Sequence, residues 1–158
     1  MLAEEIVAKI NKEKAKYPTA RAAVKSALRY AQEAHGWIDE NVVRDVADVL
    51  ELEPIQVYEV ATFYDLFYTQ PVGKHQLRVC TNISCMLRGS DGVVDHIRNR
   101  LGIGPGETTA DGKFTLFEVE CLGACGGAPM MMMGNEYFEN LDEGSLDRIL
   151  TDLGSEDE

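Results

Sequence analysis

Four cysteines, Cys80, Cys85, Cys121 and Cys125, are the residues whose type and spacing point most directly to chemistry. They form two pairs, C-x4-C and C-x3-C, separated by 35 residues. Neither pair has the C-x2-C spacing common in structural zinc sites. The wider intervals suit sulfurs that must spread around the two irons of a [2Fe–2S] cluster. The second pair lies in Cys121–Leu122–Gly123–Ala124–Cys125–Gly126–Gly127–Ala128–Pro129. Its three glycines are expected to permit positive φ and to bring backbone N–H groups against sulfides and thiolates. Leu122, Ala124, Ala128 and the run Met130 to Met133 would keep those surroundings dry. The same four thiolates would also suit a Zn(Cys)4 site that only stabilises a scaffold. A dithiol reductase is a further alternative, although its nucleophile usually stands in C-x-x-C at a helix start. No residue is singled out as catalytic.

Composition narrows the setting. The 158 residues are 45% hydrophobic and 27% charged, the balance of a chain able to fill a core. A formal net charge of −12 argues against nucleic-acid backbones and anionic membrane surfaces, and for docking onto other proteins. No stretch approaches the roughly 20 apolar residues of a membrane span, so direct membrane insertion is not expected. Met1 to Lys16 alternates charged with apolar residues and reads as neither a signal peptide nor a transit segment, giving a cytoplasmic expectation. Thiols stay reduced in that compartment, which favours metal binding or redox chemistry over two structural disulfides.

The elements that must position the cysteines change character near Gln70–Pro71–Val72–Gly73. Residues 1–72 read as a helical bundle. Leu2, Ile6, Val7 and Ile10 keep a helical period that Tyr17–Pro18 stops. Thr19 is expected to cap a second helix ending at Gly36, and Asp39 a third through Leu50. Pro54 suits the first turn of a fourth helix, which is expected to run through Tyr64 and Phe67. Residues 73–158 read as strand His75–Cys80, helix Asp91–Leu101 and strand Phe114–Glu120. A hairpin follows, Met130–Met133 and Glu136–Asn140 around Gly134–Asn135, and then a helix Asp142–Leu153. Gly154 to Glu158 is expected to fray. This β-α-β-β-α order is that of a thioredoxin-like layer, so the fold class is α+β.

With these residues in view, the sequence resembles one family. The two cysteine pairs at their spacing, Val60–Ala61–Thr62–Phe63–Tyr64, Pro71–Val72–Gly73–Lys74–His75 and Cys121–Leu122–Gly123–Ala124–Cys125 are similar to the small thioredoxin-like [2Fe–2S] subunit of respiratory complex I, the NADH:quinone oxidoreductase. Homologous subunits serve NAD-linked hydrogenases and formate dehydrogenases. The resemblance implies an N-terminal helical bundle followed by a thioredoxin-like [2Fe–2S] ferredoxin domain, with Cys80, Cys85, Cys121 and Cys125 as ligands of one cluster. It implies a partner subunit that binds FMN and NADH, with further subunits beyond it, in the peripheral arm of a membrane-associated complex. The isolated chain is then expected not to oxidise NADH.

Other features read more plainly. Gly102–Ile103–Gly104–Pro105–Gly106 follows a helix instead of joining strand to helix, and Pro105 lacks an N–H, so it reads as a helix stop and turn. His35 and His96 are expected to be solvated, and His75 to be structural. The methionine run reads as a buried strand. Phe63 to Tyr68 suits either an interface or core filling.

Overall fold

The computed structural model describes residues 1–155, so the acidic end at 156–158 lies outside the described residues. Gly154 and Ser155, expected to fray, belong to the last helix. The chain divides into two compact units, one of Met1–Pro71 and one beginning at Val72. Among the described residues the molecule is α+β, with seven α-helices and one four-stranded sheet. Among the described residues, no helix is long and apolar enough to cross a membrane.

The first unit is helical because its apolar residues recur every third or fourth position. Its helices are α1 (Glu4–Lys14), α2 (Val24–His35), α3 (Glu40–Leu50) and α4 (Pro54–Phe63). Ile10, Val24, Ala27, Leu28, Val46, Leu50 and Val57 lose all solvent contact in one core. Asp39 caps α3 by accepting the Val42 N–H at 2.7 Å, a contact typically worth about 1 kcal/mol. At α4, Glu53 and Gln56 form a reciprocal capping box, and Pro54 occupies the first turn. Two expectations need correction. Thr19 makes no side-chain cap; the chain enters α2 through a 3-10 turn, Ala20–Ala23. Helix α4 stops at Phe63, with Tyr64 extended, although Phe67 is still buried. The cause is tertiary: Gln32 donates to the Leu66 carbonyl at 2.9 Å and accepts the Tyr68 N–H at 2.8 Å. That amide engages backbone groups that another helical turn would have paired internally.

The second unit is built on β1 (His75–Cys80), β2 (Phe114–Val119), β3 (Met131–Met133) and β4 (Glu136–Phe138), in spatial order β2-β1-β3-β4. Strands β1 and β2 are parallel, which requires a crossover, and β3 and β4 are antiparallel additions. Three helices complete it: α5 (Ile83–Leu87), α6 (Ser90–Leu101) and α7 (Glu143–Ser155). Leu77, Val79, Phe114, Leu116 and Met131 pack with Val93, Val94 and Ile97 of α6 and Leu146 and Leu150 of α7. Met131 is fully buried in that core, while Met130 turns to the cysteines.

Helix α5 leaves no periodic signal in the sequence, because its five residues are too few to show a helical period. Its one signal is Asn82, which accepts the Ile83 N–H at 2.7 Å as a cap. His96 is half-buried rather than solvated, its Nε2 lying 3.0 Å from Asp147 of α7. His35 is exposed. His75 is buried, its ring tilted against Phe114 at 5.4 Å. Gly102 ends α6 in the left-handed region, φ 70°.

Gly73 starts the sheet. Its N–H donates to Thr115 Oγ1 at 2.7 Å, and a Cβ there would stand 2.8 Å from backbone atoms of Phe114. Only a residue without Cβ lets the chain enter β1 this close to β2. Gly73→Ala should therefore destabilise the fold by about 1–3 kcal/mol, the usual range for overpacking a close contact. Denaturant unfolding at matched slope checks this, and a midpoint equal to that of the parent would refute it.

Candidate metal centre

The parallel pairing determines where the cysteines arrive. The register runs from His75 opposite Phe114 to Cys80 opposite Val119, so both strands finish at the same sheet edge. Cys80 is the last residue of β1, and Cys121 lies two residues past the end of β2. The Cys80 N–H donates to the Met130 carbonyl at 3.1 Å, and the Thr81 N–H to the Val119 carbonyl at 3.1 Å. Cys85 is brought back to the edge by one turn of α5. Asn82 caps that turn and also donates through Nδ2 to Glu120 Oε2 at 2.6 Å, tying the first cysteine loop to the residue before Cys121. This link leaves no local signal in the sequence, since the two residues are 38 positions apart.

All four residues are free thiols, and they differ sharply in burial. Cys80 and Cys85 are each 2% exposed, enclosed with Ala128 and Met130, and Leu122 and Ala124 pack against them. Cys121 and Cys125 face solvent, their sulfurs 3.5 Å apart. Burial pushes the Cys85 thiol above its ordinary range, and the Cys80 side chain adds to this by hydrogen bond and charge. The Met130 backbone opposes the rise, while the charge of Cys125 also contributes to it. The sulfurs meet two by two: among the described residues, no group of three or more His, Cys, Asp or Glu side chains forms a single-metal shell.

The glycines of the second loop do less uniform work than their number suggests. Gly123 takes φ +84° and its N–H approaches Cys121 Sγ at 3.4 Å, as the loop composition predicts. Gly126 is not in the left-handed region and has open space where a Cβ would stand. The Gly127 N–H is bound by the Ala124 carbonyl within a 3-10 turn, Cys125–Gly127. What Gly127 provides is room, because the Glu139 side chain lies where its Cβ would be. Two further straps hold this loop: Tyr137 Oη donates to the Leu122 carbonyl at 2.7 Å, and the Asn140 N–H to the Gly127 carbonyl at 2.7 Å.

This asymmetry has a measurable outcome. In metal-free protein, iodoacetamide should modify Cys121 and Cys125 rapidly and the buried pair slowly, because access limits the reaction. The Cys85 rate should rise with pH along a curve displaced upward from that of an ordinary thiol, since its thiolate is disfavoured. Peptide mapping after timed alkylation reads both, and equal rates at all four positions would contradict the described burial.

Known proteins are similar in both sequence and fold. The chain is 50% identical to an E-type subunit of NADH-quinone oxidoreductase from Rhizobium meliloti (strain 1021) over 136 residues, covering 86% of this chain and 81% of that one. It is 42% identical to the E-type subunit of the NADH-quinone oxidoreductase of Rickettsia typhi over 138 residues, covering 85% and 81%. Among solved structures, an NAD+-reducing [NiFe]-hydrogenase in the air-oxidized state aligns with a TM-score of 0.72 at 20% identity. That match covers 82% of this chain and 23% of the hydrogenase chain, a likeness of fold. Residues 10–154 match the family described as thioredoxin-like [2Fe–2S] ferredoxin, and it is to this family that the chain belongs.

Proposed function

We propose that the chain holds one [2Fe–2S] cluster on Cys80, Cys85, Cys121 and Cys125 and relays electrons as a subunit of an NADH-quinone oxidoreductase. The observation that carries this is that four free thiols, in two pairs, follow the neighbouring ends of the parallel strands β1 and β2. A tetrahedral metal with metal–sulfur bonds of about 2.3 Å keeps its sulfurs about 3.8 Å apart. The 3.5 Å between Cys121 and Cys125 is close to that separation, so this pair suits one metal and leaves Cys80 and Cys85 for a second. When bound, such a cluster supplies one-electron transfer without bond chemistry on a substrate.

The chain's own residues supply the environment. Met130, Ala128, Leu122 and Ala124 exclude water from the inner pair, while Cys121 and Cys125 leave one side open. Metal binding requires thiolates, so Cys85 must lose a proton that its burial retains, and loading should release protons and weaken in acid. The relatives are named as subunits of an NADH-quinone oxidoreductase, which supports further subunits around this chain, and the family resemblance implies that one of them carries flavin and receives hydride from NADH. A one-electron centre cannot take hydride itself, and a flavin mediates between the two. The chain's own loop at 102–106 has its three glycine N–H groups engaged: Gly102 with the Arg98 carbonyl, Gly104 with the Glu107 carboxylate and Gly106 with the Leu116 carbonyl. By this reading the subunit sits in the peripheral part of a membrane-associated complex.

Purified protein should contain two irons and two labile sulfides per chain, with a single spin-one-half EPR signal after dithionite. Alanine at Cys80, Cys85, Cys121 or Cys125 should each abolish the normal visible spectrum. Stoichiometric zinc without labile sulfide would sink the cluster and leave the zinc scaffold standing.

Anaerobic NADH should leave the visible bands of the isolated protein unchanged and bleach them once the flavoprotein is added. Rapid bleaching without a flavoprotein would overturn the relay reading.

A further inference from the structure

One peptide group of the second cysteine loop is held at both ends. The Leu122 carbonyl accepts a hydrogen bond from Tyr137 Oη at 2.7 Å, and the N–H of the same peptide, that of Gly123, approaches Cys121 Sγ at 3.4 Å. The Leu122 side chain packs against the buried cysteines, and these two hydrogen bonds set how the peptide plane faces. Gly123 stands at φ +84°, and beyond its chain neighbours no atom lies within 4 Å of where its Cβ would be. Tyr137, by contrast, is fixed by the sheet, since it pairs with Met132 in the antiparallel ladder of β3 and β4. Its ring is 51% exposed, so it contributes little to core burial, yet its hydroxyl is committed to a loop carbonyl 15 residues away.

We infer that Tyr137 is a positioning residue for the cluster: through the Leu122 carbonyl it holds the Gly123 N–H on Cys121 Sγ and thereby raises the reduction potential. The inference rests on the reading of Cys121 as a ligand. A donor aimed at a ligand sulfur stabilises the more negative, reduced state more than the oxidised one. A hydrogen bond to the carbonyl end of that peptide polarises its N–H and strengthens the donation. Removing the hydroxyl frees the peptide to turn and weakens the contact, so the potential falls.

The test is Tyr137→Phe in the full chain loaded with cluster, compared with the parent by EPR-monitored redox titration. Iron and sulfide content should be unchanged. At the parent's midpoint, where reduced and oxidised forms are equal, the ratio of reduced to oxidised should fall several-fold in the variant. Exchange into D2O should also reveal a weaker exchangeable-proton coupling at the reduced cluster in pulsed EPR. A second readout needs no cluster: in metal-free protein the Gly123 amide should exchange faster in Tyr137→Phe, while amides paired within β1 and β2 keep their rates. An unmoved or raised midpoint in fully loaded variant overturns the inference. If the parent holds no cluster, the ligand reading fails instead, and the amide exchange alone then decides the positioning role, with equal Gly123 rates overturning it.

Discussion

The parallel register of β1 on β2 is the constraint on which the site depends. Because His75 faces Phe114 and Cys80 faces Val119, two segments about 40 residues apart in sequence end together. A shift of one residue would send every side chain of one strand to the opposite face and carry its cysteine out of reach. Gly73 guards the start of this pairing, where the chain passes against the Phe114 backbone, and the Asn82–Glu120 bond guards its end. Between them lie Leu77, Val79 and Leu116, whose burial under α6 and α7 makes any other register costly.

On that edge the two cysteine pairs occupy different physical settings. The inner pair belongs to a small apolar cluster, where burial disfavours charge on Cys85. The outer pair lies on a glycine-containing loop strapped by Tyr137 of β4 and by Asn140 just beyond that strand. A centre bound across both would have one side sealed and one side accessible. That division suits a relay, because the sealed side limits water and the open side shortens the path to a partner.

Much of this arrangement is legible in the sequence, for reasons that can be traced to particular residues. Alternating runs at His75–Cys80 and Phe114–Val119, each closed by a cysteine or leading into one, reveal that the pairs follow strands. Asp39 and Pro54 mark helix starts by local chemistry alone, and both work as expected. What escapes the sequence is decided by distant partners. Helix α4 ends early because Gln32 captures the turn after it, and His96 leaves solvent because Asp147 of another helix meets it. The three glycines near Cys125 look alike in sequence, yet one supplies a left-handed turn, one supplies room for Glu139 and one supplies neither. Helix α5 is hidden by its brevity, with Asn82 as its single clue.

Gln32 carries a last consequence, for the covalent ageing of the molecule. Its amide works in both directions at once, giving a proton to Leu66 and taking one from Tyr68. Hydrolysis to a carboxylate would alter the shape of the side chain very little, yet the donor would become a second acceptor facing a carbonyl oxygen. The half of the clip that reads Tyr68 would survive and the half that reads Leu66 would turn repulsive. One slow chemical change on α2 would thus loosen a turn 34 residues further along, with no atom of that turn having been touched.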